Sequence, residues 1–183
     1  MENRLIYTVG NFNESGQQVL AYEYNAENNP NTPLQKKIMK TMPEAKRVLD
    51  SLYPDEIAGE KVVLPVQGDV IWTETSGRKW IGHMLVYKND EEHLNEDALR
   101  LCIRSVYKKA KELKQDTVSM PLICAQDNKM QWLRVYPIIE EEMKELKTII
   151  WVPDKEYLAD VMTLIPGQWR TFSNVPMIRF KQR

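Results

Sequence analysis

The chain has 183 residues, 43% of them hydrophobic and 28% charged, with 25 Lys and Arg against 26 Asp and Glu. That is the make-up of one ordinary globular domain, long enough to hide about 70% of its unfolded surface without a staple, and its charge balance lacks the basic surplus expected on duplex DNA. No apolar run reaches the roughly 18 residues of a spanning helix, the N-terminus lacks the charged-then-apolar order of a signal peptide, and two Cys make neither a disulfide framework nor a four-Cys zinc site, so a cytoplasmic protein without membrane contact is expected.

Residues 4–9 (RLIYTV) and 18–24 (QVLAYEY) are β-rich and separated by a loop at 10–17. A polar loop with two prolines, 25–33, leads into apolar positions Leu34, Ile38, Met42, Ala45, Leu49 and Leu52, and Pro43 breaks that series into two helices or a kinked one. Residues 61–66 (KVVLPV) read as a short strand, and 69–74 with 79–87 as a hairpin about Ser76-Gly77. Asn95 is placed to cap a helix that carries Leu99, Cys102, Ile103, Val106, Ala110 and Leu113 on one stripe, with Lys108, Lys109, Lys111 and Lys114 towards its end. A strand at 117–121, a loop at 122–131, a helix through Trp132, Val135, Ile139 and Met143 with Pro137 near its first turn, a strand at 148–152 and a short helix at 156–162 complete the series. Beyond that, only 177–180 has a strand pattern, so residues 1–162 are expected to form the domain and 163–183 an extension packed on it.

Apolar strands alternating with amphipathic helices imply an α/β fold, a three-layer sandwich with a central mixed β-sheet flanked by helices. Ligands of such sheets lie outside the carboxyl ends of the strands. Two loops, 25–33 and 122–131, leave strand ends for helices and mark the expected site. The chain holds only 7 Gly, about half the usual share of roughly 7%. A phosphate-binding loop here is therefore built almost without glycine.

Several stretches together resemble the macro domain family, nearest the subclass of ADP-ribose 1″-phosphate phosphatases. The resemblance covers roughly residues 4–160. It is carried by Asn25 at the end of the second strand, Pro43-Glu44-Ala45, Gln67-Gly68-Asp69-Val70, Ser119-Met120-Pro121-Leu122-Ile123, Trp132, and Val135-Tyr136-Pro137-Ile138-Ile139-Glu140. The family's adenine-recognising Asp is replaced by Asn11, after a retained Gly10. Its loop glycines are replaced by Asn28, Asn31 and Pro33 in the first loop and by Cys124, Gln126, Lys129 and Met130 in the second. Bare main chain approaches phosphate oxygens closely, whereas Pro33 has no N–H and Met130 resists φ > 0. Carboxamides and the Lys129 charge are expected to replace the lost donors.

The resemblance implies a domain that binds an ADP-ribose-like nucleotide metabolite, with no cofactor and no metal. The ligand-binding residues it implies are Asn11, Asn25, Asn28, Asn31, Thr32, Ile123, Cys124, Ala125, Gln126 and Lys129. One alternative is an ADP-ribose 1″-phosphate phosphatase or a hydrolase of ADP-ribosyl linkages, in which Asn25, Asp127 and Asn128 assist a water at the distal ribose. The other is an interaction or antagonist module that kept the fold, lost the pocket and binds a protein partner. A Cys124–His83 nucleophile and base is set aside, since nothing in the sequence places the two together. His83 and His93 have no metal-ligand spacing, Trp169 and Phe172 read as tail docking, and Asp90-Glu91-Glu92 as a solvated loop.

Overall fold

A computed structural model describes residues 5–53, 63–88, 94–125 and 128–165. Its strands are β1 (Leu5–Val9), β2 (Val19–Asn25), β3 (Val70–Glu74), β4 (Trp80–Tyr87), β5 (Thr117–Pro121) and β6 (Lys147–Val152). Its α-helices are α1 (Pro33–Thr41), α2 (Pro43–Leu52), α3 (Glu96–Glu112), α4 (Trp132–Met143) and α5 (Lys155–Leu164). One mixed sheet forms in the order β1-β6-β5-β2-β4-β3. Every pairing is parallel except β3 with β4, which form the expected hairpin. Five parallel strands therefore end at the same edge, at Val9, Asn25, Tyr87, Pro121 and Val152.

Strand alternation builds two cores on one sheet. On β2, Val19 and Ala21 join the cluster that packs α3, α4 and α5, while Leu20, Tyr22 and Tyr24 join the one that packs α1 and α2. Trp132 is fully buried in the first cluster with Ile123 and Ala125, and its Nε1–H donates to the Tyr7 hydroxyl at 3.1 Å. The chain leaves β2 towards α1 on one face and leaves β5 towards α4 on the other. The β2/β5 boundary is thus the switch point where ligand crevices form in α/β sheets. The two strands share one ladder position, Leu20 with Ser119.

Local chemistry sets the helix ends. Thr32 caps α1 and Pro33 opens it, Pro43 opens α2, and the Asn95 carboxamide caps α3 by accepting from Ala98 N at 3.0 Å. Lys109 and Lys111 lie in the last turn of α3, where cations suit the helix dipole. No helix among the described residues is long and apolar enough to cross a membrane.

Two local expectations are corrected. Residues 63–66 form no strand, although 61 and 62 lie outside the described residues. Val63 is 90% and Val66 63% exposed. Pro65 cannot donate to a ladder, and the chain instead crosses the end of β4, where Gly68 N donates to Leu85 O at 2.8 Å and the Gln67 carboxamide to Val86 O. Pro137 sits inside α4 rather than in its first turn. It is on the exposed side of the helix, where a missing backbone N–H costs least. Residues 166–183, with the strand expected at 177–180, lie outside the described residues, as do Asp90, Glu91, Glu92 and His93.

Candidate functional site

The first loop leaves β2 through a fully buried Asn25. Its Oδ1 accepts from Glu27 N at 2.7 Å, an Asx turn that bends the chain off the sheet. Asn28 follows with φ +54°, a left-handed conformation that Asn tolerates where most residues do not. Its Oδ1 accepts from the Tyr24 hydroxyl at 3.0 Å. The Asn31 Oδ1 accepts from the Tyr87 hydroxyl at 2.9 Å. Three of the five proposed asparagines thus shape this loop with their carboxamide oxygens.

Gln35, in the first turn of α1, closes this loop from beneath and is fully buried. Its Oε1 accepts from Asn31 N at 3.0 Å and from Thr32 N at 3.4 Å. Its Nε2 donates to Glu23 O at 3.0 Å and to the Tyr87 hydroxyl. Thr32 Oγ1 accepts from Gln35 N at 3.2 Å, completing a reciprocal capping box.

The second loop turns at once after β5. Ala125 N donates to Leu122 O at 3.2 Å, and Leu122, Ile123 and Ala125 are buried. Cys124 adopts φ +54°, a left-handed conformation that favours glycine. The Ala125 carbonyl accepts from the Tyr157 hydroxyl of α5. Gln126 and Asp127 lie outside the described residues. Asn128 caps a short 3-10 turn, accepting from Met130 N at 3.1 Å. Lys129 is paired with Asp160 of α5, and its ammonium lies 4.7 Å from the Tyr157 ring centroid. Its charge is therefore already balanced within the protein.

After β1, Gly10 takes φ +149°, and a Cβ there would meet the Trp151 ring at 2.9 Å. Asn11 caps a 3-10 turn by accepting from Asn13 N at 3.3 Å and donates to Glu14 Oε1 at 3.1 Å. The structure brings Asn25, Asn28, Asn31 and Thr32 together at the end of β2, and Ile123, Cys124, Ala125, Asn128 and Lys129 in the turn after β5. Asn11 stands apart on the loop after β1.

Sequence reasoning passed over four residues at this edge: Glu23, Gln35, Tyr87 and Lys88. Glu23 is a carboxylate-bearing residue only 2% exposed, near the end of β2. Burial, with the Glu23 charge adding to it, holds the Cys124 thiol well above its ordinary value. Burial likewise raises the Tyr87 hydroxyl, which stays neutral and donates. Lys88 is exposed directly after β4, whose last residue pairs with Asn25. A polar residue inside a strand or a helix turn at a sheet's carboxyl edge was the available signal for Glu23, Gln35 and Tyr87, and a cation directly after a strand end the signal for Lys88.

His83 and Cys124 belong to different faces of the sheet. His83 Nδ1 lies 2.6 Å from the Tyr22 hydroxyl and Nε2 2.9 Å from Thr73 Oγ1, so both ring nitrogens are spent away from the loops. Burial lowers this imidazole to about 3. A protonated thiol and a neutral, enclosed imidazole make no nucleophile and base. Among the described residues no cluster of three His, Cys, Asp or Glu side chains could hold a metal ion.

No family model matches the sequence, and no curated protein matches it either. Solved structures do match in shape. The macrodomain of Thermus aquaticus DarG superposes with a TM-score of 0.66 at 14% identity, covering 82% of this chain and 98% of that one. A macrodomain protein from Streptomyces coelicolor gives 0.65 at 17% identity, covering 82% and 99%.

The fold is that of a macrodomain.

Thermosipho africanus DarTG, solved in complex with ADP-ribose, matches with a TM-score of 0.65 at 11% identity over 85% of this chain and 44% of that one. Within this fold the loops after β2 and β5 stand at the switch point. Several of their main-chain amides are taken within the protein: Asn31 N and Thr32 N bond Gln35, Ala125 N bonds Leu122, and Met130 N bonds Asn128.

Proposed function

We propose that this macrodomain binds an ADP-ribose-like nucleotide at the β2/β5 switch point, between residues 25–32 and 122–131. The observation that carries the reading is topological. Loops from two adjacent parallel strands leave for opposite faces of the sheet there, in a fold shared with part of a neighbour solved in complex with ADP-ribose. The distal ribose lies at the first loop, where carboxamides and the Tyr87 hydroxyl match sugar hydroxyls. The diphosphate lies towards the second loop, and the base towards Asn11. Lys88, exposed directly after β4, would add positive charge at the rim of this site.

Binding without turnover fits the side chains better than catalysis does. The Asn25 and Asn128 oxygens hold loop amides in place, so neither is positioned first of all to orient water. Calorimetry and thermal shift with ADP-ribose, ADP and NAD test the reading. At a ligand concentration of a hundred times Kd, mass action adds about 2.7 kcal/mol of stability. Lys88→Ala and Asp127→Ala are expected to weaken ADP-ribose at least several-fold. Release of phosphate or ADP-ribose from candidate substrates would favour the hydrolase alternative.

One feature favours the interaction-module alternative. A groove of about 760 Å³ beside β3 is lined by Leu52, Val63, Leu64, Val66 and Leu101, all at least 37% exposed. No thermal response to any nucleotide, together with a specific protein partner that Leu101→Asp abolishes, would establish that reading in place of the first.

A further inference from the structure

Strand β3 is an edge of the sheet and pairs with β4 alone. Leu85 N donates to Asp69 O at 2.9 Å and Thr75 N to Lys79 O at 2.8 Å, so Ile71 and Thr73 between them also spend their main-chain groups on β4. The N–H and C=O groups of Val70, Trp72 and Glu74 therefore point away from the sheet, and no described residue takes them. Such an edge is a template for another strand unless lysine, proline or a bulge blunts it, and the sequence VIWTE carries neither lysine nor proline. The Trp72 ring lies over Gly82 of β4, where a Cβ would meet it at 3.0 Å, and so leaves the edge clear. The flanks of the edge are apolar. Of the large hydrophobic side chains exposed among the described residues, all but Val9 and Met130 border the groove along β3: Leu52 from α2, Leu101 from α3, and Val63, Leu64 and Val66 from the segment before the strand.

We propose that this edge is the interface of a homodimer, in which β3 pairs antiparallel with β3 of a second copy about a two-fold axis at Trp72. That register sets Trp72 opposite its own counterpart and Val70 opposite Glu74 of the other copy, so every outward-facing group of the strand is used. A two-fold one residue to either side leaves the groups of Val70 or of Glu74 without a strand partner, because Gly68 N is already spent on Leu85 O and Ser76 lies in the hairpin turn. Self-pairing also closes the contact, since one patch serves both copies, whereas pairing β3 with the other open edge, β1, runs on into a filament. The charges agree. Alternation puts Trp72 and Glu74 on one face of the sheet. It is the α3 face, because the Lys109 ammonium lies 5.7 Å from the Trp72 ring centroid. Leu101 and Ser105 of α3 line the groove, and Lys108 continues their stripe. Glu74 and Lys108 are exposed and make no ion pair among the described residues. In the dimer Glu74 of each copy lies beside Val70 of the other, facing the Lys108 and Lys109 end of that copy's α3. Strand β4 stands between this edge and β2, and the dimer does not rest on the nucleotide reading.

Sedimentation equilibrium over a wide range of concentration tests this on the full chain. The wild type is expected to dimerise reversibly. Glu74→Pro removes an outward N–H and no bond to β4, so it folds as the wild type does by circular dichroism and raises the dimer dissociation constant at least tenfold. Glu74→Lys and Lys108→Glu each weaken the dimer, and the two together recover part of the loss. On mild oxidation Trp72→Cys forms a disulfide between copies, because Cα atoms of a hydrogen-bonded antiparallel pair lie about 5.5 Å apart. Glu74→Cys does not, because its counterpart lies opposite Val70. The charge swap serves if Trp72→Cys does not fold. A wild type that stays monomeric at every concentration overturns the proposal. So does a dimer that Glu74→Pro leaves unchanged, or one that cross-links through Glu74→Cys and not through Trp72→Cys.

Discussion

His83 is held between two hydroxyls with no carboxylate to balance a proton. Burial lowers its imidazole to about 3, against an unfolded value of roughly 6.5. The fold therefore holds the neutral form. Below about pH 6.5 the unfolded chain takes up a proton that the native state refuses, so this group's contribution is complete above that pH and is lost as pH falls towards 3. The slope is about 1.4 kcal/mol per pH unit. Urea unfolding at pH 6.5 and pH 5 should show about 2 kcal/mol of difference from this site, and His83→Gln should remove it whatever its cost at pH 7. An NMR titration of the His83 ring that moves near pH 6.5 would contradict the enclosure. At this scale the sequence revealed identities but not partners. Asn25 and Asn31 were legible as polar positions of the loop after β2, but not that their oxygens are taken by Glu27 N and the Tyr87 hydroxyl. That the Lys129 charge is spent on Asp160 depends on α5 packing against the second loop, a contact across 31 residues that no local pattern encodes.

Helices α3 and α4 are joined by a charged seam. The Glu142 carboxylate, nearly buried, receives Arg104 Nε at 2.7 Å, Arg104 Nη2 at 2.9 Å and Arg100 Nη1 at 2.6 Å. These hydrogen bonds, Arg104 first, hold its carboxyl below the ordinary carboxylate value. A depressed carboxylate stabilises above its unfolded value and loses that contribution as pH drops through the folded one. Glu142→Gln should therefore cost roughly 1–2 kcal/mol at pH 7, a fall of about 3–6 °C in melting temperature, and the gap from wild type should close as pH is taken below the ordinary carboxylate range. A gap independent of pH would assign the seam to packing alone. Helix α3 itself was readable in full, because its cap, apolar stripe and terminal lysines all agree. The stretch at 61–66 misled for the opposite reason. A short apolar run with a proline satisfies composition without a ladder partner, and whether a neighbour is within reach is a tertiary fact.

Across the molecule, the sheet is the shared wall of both cores. Fold class followed from alternation of strand and helix, whereas the strand order β1-β6-β5-β2-β4-β3 is set by tertiary pairing that the alternation does not encode. The interior of the site was less legible, because a buried glutamine at the third position of a helix reads locally as a capping residue and nothing more. The shared wall sets how the protein unfolds. Leu49 packs α2 on one face and Leu99 packs α3 on the other, both fully buried. Adjacent residues of β2 serve the two faces in turn, Leu20 one and Ala21 the other, so neither core can open while that strand stays paired. Leu49→Ala and Leu99→Ala should each cost about 2–5 kcal/mol. In urea each variant should still unfold in one transition, with tryptophan fluorescence and far-ultraviolet circular dichroism superimposing and only the midpoint lowered. A transition split by Leu49→Ala, with the signal of buried Trp132 lost later than the helical signal, would show that the α1–α2 layer peels from a sheet held by α3 and α4 alone.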